Sequence, residues 1–170
     1  MGQALRLTGR WSLLLFWPAY AGGAMVTLFG PRLGILARHG REFGLAYAAA
    51  QLVHLSLVAR LVASSHGPFL QSIMPFFAIG VVWTYLLALI SLKPLGGVFA
   101  AKDWRILRTI GLEYLALVFI ADFVIAPIAT HTELSLEYLP FSILIILGPI
   151  LRLAAAARGF TKPWARQAQQ

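Results

Sequence analysis

Long uncharged stretches separated by short charged ones organise this chain. Arg10 and Arg32 bracket an uncharged run, Trp11 to Pro31, and Glu42 and Arg60 bracket another. No Lys, Arg, Asp or Glu occurs from Leu61 to Leu92. Ile106 to Ala129 carries only Arg108, Glu113 and Asp122, and Tyr138 to Leu151 carries no charge. A helix crosses the hydrocarbon of a bilayer with about 20 mainly apolar residues. The pattern therefore predicts an all-α, polytopic membrane helix bundle with five spans, over residues 11–30, 42–62, 69–92, 106–129 and 135–157. A polar, basic tail over 158–170 completes a single domain, residues 1–170. The breakers fall where this reading needs them: Gly30-Pro31 closes the first span, Gly67-Pro68 opens the third, and Lys93-Pro94-Leu95-Gly96-Gly97 ends it.

Composition agrees. Hydrophobic residues make up 59% of the 170 and charged ones 12%, and the mean hydropathy is +0.78. A disordered chain needs the opposite balance, and a water-soluble globule needs more charge to cover its surface. The absence of cysteine excludes disulfides, thiolate metal sites and a cysteine nucleophile. The net charge of +8 first suggests an acidic partner such as nucleic acid, but the basic residues border apolar spans. Counted by loop, one side holds Arg6, Arg10 and Arg60 and the other holds the remaining eleven of the 14 basic residues. The positive-inside rule then predicts the N-terminus outside and the C-terminus in the cytoplasm. The basic rim is expected to meet anionic headgroups of the lipid bilayer, with no nucleic-acid partner. Arg6, Arg10, Leu13 to Trp17 and Ala19-Tyr20-Ala21 resemble a signal peptide with a small-residue cleavage site. The apolar run continues unbroken to Leu28, which favours an uncleaved span.

Polar groups at membrane depth are costly and are functional candidates by default. Four stand out: Gln51, His54, Glu113 and Asp122. Arg60 and Arg152 lie near span ends, where snorkelling to headgroups accounts for them. His54 lies ~18 Å in from Glu42, and Asp122 ~24 Å in from Ile106 on another span of the same direction, depths close enough for a contact or a water bridge. Gln51 precedes His54 by one turn and shares its face. Glu113 and Asp122 fall on roughly opposite faces of one helix. Gly22-Gly23 and Ala48-Ala49-Ala50 suit close helix contact. No phosphate-cradling loop, zinc helix or nucleophile elbow occurs. No metal site and no complete catalytic constellation are expected.

Thr8-Gly9-Arg10-Trp11 opens the first span; Arg41, Gly44 and His54-Leu55 follow, and Trp104-Arg105-Ile106-Leu107 precedes the fourth. In this order the chain resembles the ferric-reductase-like transmembrane domain over residues 8–125. It is most similar to the haem-binding membrane subunit of the bacterial methionine-sulfoxide reductase system. The resemblance implies a bacterial inner-membrane location and a b-type haem between the helices 42–62 and 106–129, with His54 as one ligand. The partner histidines of the family fall here at Arg108 and near Ala121 or Asp122, and no histidine occurs in 106–129. Axial ligands set haem chemistry. The first expectation is therefore a haem-poor or haem-free accessory or scaffold subunit with a protein partner in the membrane or at its surface, and no bound cofactor. The alternatives are a haem b electron-transfer subunit ligated unusually through His54, and a proton or small-solute pathway lined by Gln51, His54 and Asp122. The tail has no room for a flavin or nicotinamide domain, so any redox activity needs a second protein.

Overall fold

The computed structural model describes residues 2–64, 68–92, 101–129 and 135–167, and these are helical almost throughout. Helices α1 (Gly2–Phe29), α3 (Gly40–Ser64), α4 (Pro68–Ser91), α5 (Ala101–Ile120) and α7 (Ser135–Gln167) are the long elements. A short α2 (Gly34–Arg38) precedes α3, and α6 (Ala126–Ala129) continues α5 through a π-helical turn, Ala121–Ile125. Among the described residues, five helices are long and apolar enough to cross a membrane: Gly2–Phe29, Gly40–Ala63, Met74–Ser91, Lys102–Ile128 and Leu136–Arg158. These are the five segments that the charge pattern predicts.

The ends differ from the hydropathy boundaries for a simple reason. Polarity marks where a helix leaves the hydrocarbon, not where it stops. Gln3, Ala4, Leu5, Arg6 and Leu7 are good helix formers, so α1 begins at Gly2 rather than near residue 11. The basic tail expected from residue 158 likewise continues α7 as helix to Gln167. The first connection does break. Gly30 takes φ 90°, a left-handed conformation that glycine adopts without a Cβ penalty. A 3-10 turn, Pro31–Leu33, then leads into α2.

The long helices close a ring in the order α1, α3, α4, α5, α7, with α7 returning to α1. Helix α1 supplies much of the core: Leu13, Phe16, Tyr20 and Ala21 are almost wholly buried, alongside Tyr47, Leu115, Ala116, Phe119, Phe123 and Ile145. Aromatic rings fill the middle of the ring. Phe16 lies 5.0 Å from Phe119 and 5.4 Å from Tyr47 between centroids, and Tyr47 lies 5.9 Å from Phe119. The outer surface is the apolar one, with Trp11, Leu52, Val82, Ile128 and Leu153 all exposed. That arrangement suits a lipid surround.

Glycines set two helix approaches. A Cβ on Gly148 would stand 2.8 Å from the Tyr20 ring, and one on Gly111 would stand 2.7 Å from the Trp83 ring. The expectation for Gly22-Gly23 is met by half of the pair. Gly22 faces the Leu36 carbonyl, 3.1 Å from a built Cβ, whereas Gly23 faces open space.

The π-helical turn has a local cause. Pro127 has no N–H and its ring clashes with the carbonyl four residues back, which is that of Phe123. A widened turn relieves the clash, and the Ala126 N–H reaches back to the Ala121 carbonyl. The stranded Phe123 carbonyl accepts instead from the Ser142 hydroxyl of α7, at 2.6 Å.

Candidate functional site

Three polar features occupy the bundle, and each follows from where the helices place a few side chains. The first lies where α1 begins and α3 nears its end. Thr8 and His54 meet across the α1–α3 contact, Oγ1 to Nδ1, at 2.9 Å. Gly9 lies beside the imidazole, where a Cβ would make ordinary contacts of 3.5 Å with His54 Cε1 and 3.8 Å with the tip of Phe123. One turn deeper, Ser12 follows Thr8 on α1 and Gln51 precedes His54 on α3, so a polar strip runs down both helices. The Ser12 hydroxyl and Gln51 Oε1 are buried with no hydrogen-bond partner among the described residues. Beside this strip, Arg10 donates from Nη2 to Glu137 Oε2 at 2.9 Å. Its guanidinium lies over the rings of Tyr138 and Phe141, 5.4 and 5.2 Å from their centroids.

The second feature ties α1, α5 and α7 together. Glu113 accepts from Arg152 Nε at 2.7 Å and from the Tyr20 hydroxyl at 2.7 Å. Arg152 Nη1 also donates to the Tyr20 carbonyl at 3.1 Å, and the guanidinium lies 4.7 Å from the Tyr20 ring centroid. Snorkelling therefore does not account for Arg152. It turns inward because a carboxylate at matching depth compensates its charge.

The third feature is a cavity of about 380 Å³ at the opposite end from Thr8 and His54, inside the ring where α3 and α5 begin. Arg38, Arg41 and Arg108 stand among its lining residues, and Phe16, Tyr47 and Leu115 are among the buried ones. Tyr47 and Thr84 share a hydrogen bond of 3.1 Å within it. Arg41 donates from Nε to the Ser91 carbonyl at 2.7 Å.

The four residues singled out from sequence do not form one site. Gln51 and His54 share a face, as expected. Glu113 turns to Arg152 and Tyr20. Asp122 sits in the π-helical turn and makes no hydrogen bond or ion pair with a described residue. The expected contact between His54 and Asp122 is replaced by the His54–Thr8 bond, and Phe123 is the residue of that turn that reaches the imidazole's surroundings. Sequence reasoning left Tyr20 and Glu137 unassigned and treated Arg152 as a surface group. Depth could have found the Glu113–Arg152 pair, since both lie about two turns in from the same end of their spans with opposite charge.

The residues present do not fit a haem held between α3 and α5. Contact between Tyr47 of α3 and Phe119 of α5, with Phe16 against both, closes the space between these helices at the level of the three rings. His54 bonds Thr8 through Nδ1, which leaves Nε2 open, so the misfit rests on the ring contacts and on the missing second ligand. No histidine or methionine is among the described residues lining the cavity, so these side chains offer an iron no imidazole or thioether ligand. No group of three metal-binding side chains occurs among the described residues. His39 lies on the exposed rim, 3.9 Å from Glu42, while His66 and His131 fall outside the described residues. No family model, curated protein or solved structure matches the chain.

Proposed function

We propose that the chain is an integral membrane protein of the cytoplasmic membrane, related in plan to the ferric-reductase-like transmembrane domain, that serves as a haem-free accessory or scaffold subunit. Its N-terminus lies outside and its C-terminus lies in the cytoplasm. The observation that carries this reading is the fate of the ligand positions. The partner positions are Arg108 and Asp122, neither a histidine, and Tyr47 and Phe119 meet between their helices. The polar side chains at depth serve chiefly to join helices: Thr8 to His54, Arg10 to Glu137, and Glu113 to Arg152 and Tyr20. Such bonds rigidify a bundle without supplying a reaction. A partner protein would supply any chemistry.

A spectrum tests the reading. Protein purified from haem-sufficient cells is expected to be helical and monodisperse, with no Soret or α band in the dithionite-reduced minus oxidised difference. Stoichiometric haem that disappears in His54→Ala would overturn the proposal and restore electron transfer through unusual ligation.

A further inference from the structure

The geometry points to a binding site for one anionic phospholipid in the cavity between the starts of α3 and α5, its phosphate on Arg38, Arg41 and Arg108 and an acyl chain in the ring. The site goes beyond the scaffold reading and rests on that reading's membrane insertion with this end of the bundle in the cytoplasm.

Charge is the first argument. No carboxylate is among the described residues that line this cavity, and no described acid pairs with Arg38, Arg41 or Arg108. Of the nearby acids, Glu42 stands by His39 and Glu113 is held by Arg152 and Tyr20, while Asp103 in the first turn of α5 is not among the lining residues described. Three arginines line one cavity, and an anion bound there would offset their like charges. Their planar forks match phosphate oxygens in pairs. The Arg41 bond to the Ser91 carbonyl holds one of these forks in place at the rim.

Shape and depth are the second. Arg38 closes α2, Arg41 lies in the first turn of α3, and Trp104 lies in the first turn of α5. These are helix ends, the level at which headgroups lie. The wall then runs inward from Arg41 to Tyr47 over about 9 Å, and from Arg108 to Leu115 over about 10 Å. This wall is apolar beyond the rim, with Leu87, Ala88, Ile90 and Leu112 among the lining residues. A soluble anion would use the rim and leave this interior dry. A lipid uses both, and basic pockets between helices on the cytoplasmic side bind such headgroups. The volume of about 380 Å³ falls in the range of small-molecule sites.

Trp104 lines the cavity and gives the readout. The full chain is reconstituted in phosphatidylcholine bilayers holding a small fraction of phosphatidylglycerol brominated on its acyl chains. The Trp104 signal is taken as wild type minus Trp104→Phe. Quenching is expected to saturate at a far lower fraction of brominated phosphatidylglycerol than of brominated phosphatidylcholine, a comparison that needs no arginine variant. Neutralising two guanidiniums in Arg38→Gln with Arg108→Gln should raise the half-saturating fraction about 30-fold. Lys at the same two positions should restore only part of it, because an ammonium supplies the charge without the paired fork. Equal quenching by the two lipids, or an unchanged midpoint in the Gln variant, would overturn the proposal. Displacement of the brominated lipid by millimolar inorganic phosphate would assign the mouth to a free anion and overturn it equally.

Discussion

Glu113→Leu is expected to destabilise the bundle by about 3 kcal/mol, the scale for breaking one half of a partly buried ion pair. The variant strands the Arg152 guanidinium against the Tyr20 ring and removes the acceptor of the Tyr20 hydroxyl. Arg152→Leu should cost a similar amount by stranding the carboxylate. The double variant should recover much of both losses, because an apolar pair of similar volume needs no compensation in a membrane interior. Unfolding midpoints in mixed micelles, followed by circular dichroism, give the four corners of the cycle. A coupling energy near zero would show that the pair is incidental.

Gly148→Val is expected to cost about 2–3 kcal/mol, the range for overpacking a fitted contact. Its new Cβ would meet Tyr20 Cε1 at 2.8 Å. Tyr20 cannot yield easily: its side chain is 1% exposed, stacks on Phe16 at 5.3 Å and holds Glu113 through its hydroxyl. The Trp17 bond to the Leu144 carbonyl, 2.7 Å, crosses the same α1–α7 contact and should loosen with it. Gly23→Val provides the control, because nothing stands within 4 Å of a Cβ at Gly23. Measured side by side in one detergent, the two valine variants should differ by most of that cost. Equal midpoints would contradict the packing described for α1 and α7.

Hydropathy carried the architecture because the signal is strong and local: a membrane imposes the same length and polarity on every span, so five helices follow from where charges are missing. Helix ends were less legible, as α1 and α7 show, since good helix formers continue past the last apolar residue. The polar groups were legible as individuals but not as pairs. Sequence places Glu113 and Arg152 at a depth, whereas their contact depends on which helices are neighbours and which faces they turn, and those are properties of the closed ring. His54 illustrates the same limit. Its spacing from Gly44 and the Thr8-Gly9-Arg10 start are visible in sequence, yet only the α1–α3 contact shows that Thr8 bonds His54 directly. The cavity was hidden altogether, because Arg38, Arg41 and Arg108 come from separate segments and read one by one as topology signals.

Every assignment of inner and outer ends rests on five crossings, and the chain is well suited to test that directly because it contains no cysteine. Single cysteines can replace four exposed residues, Gln3 and Leu136 at one end of the bundle and His39 and Asp103 at the other. Labelling with a membrane-impermeant maleimide on intact bacterial cells stripped of their outer membrane should modify Gln3→Cys and Leu136→Cys at once. His39→Cys and Asp103→Cys should react only after the membrane is permeabilised. Labelling of positions from both pairs on intact cells would contradict the five-span account.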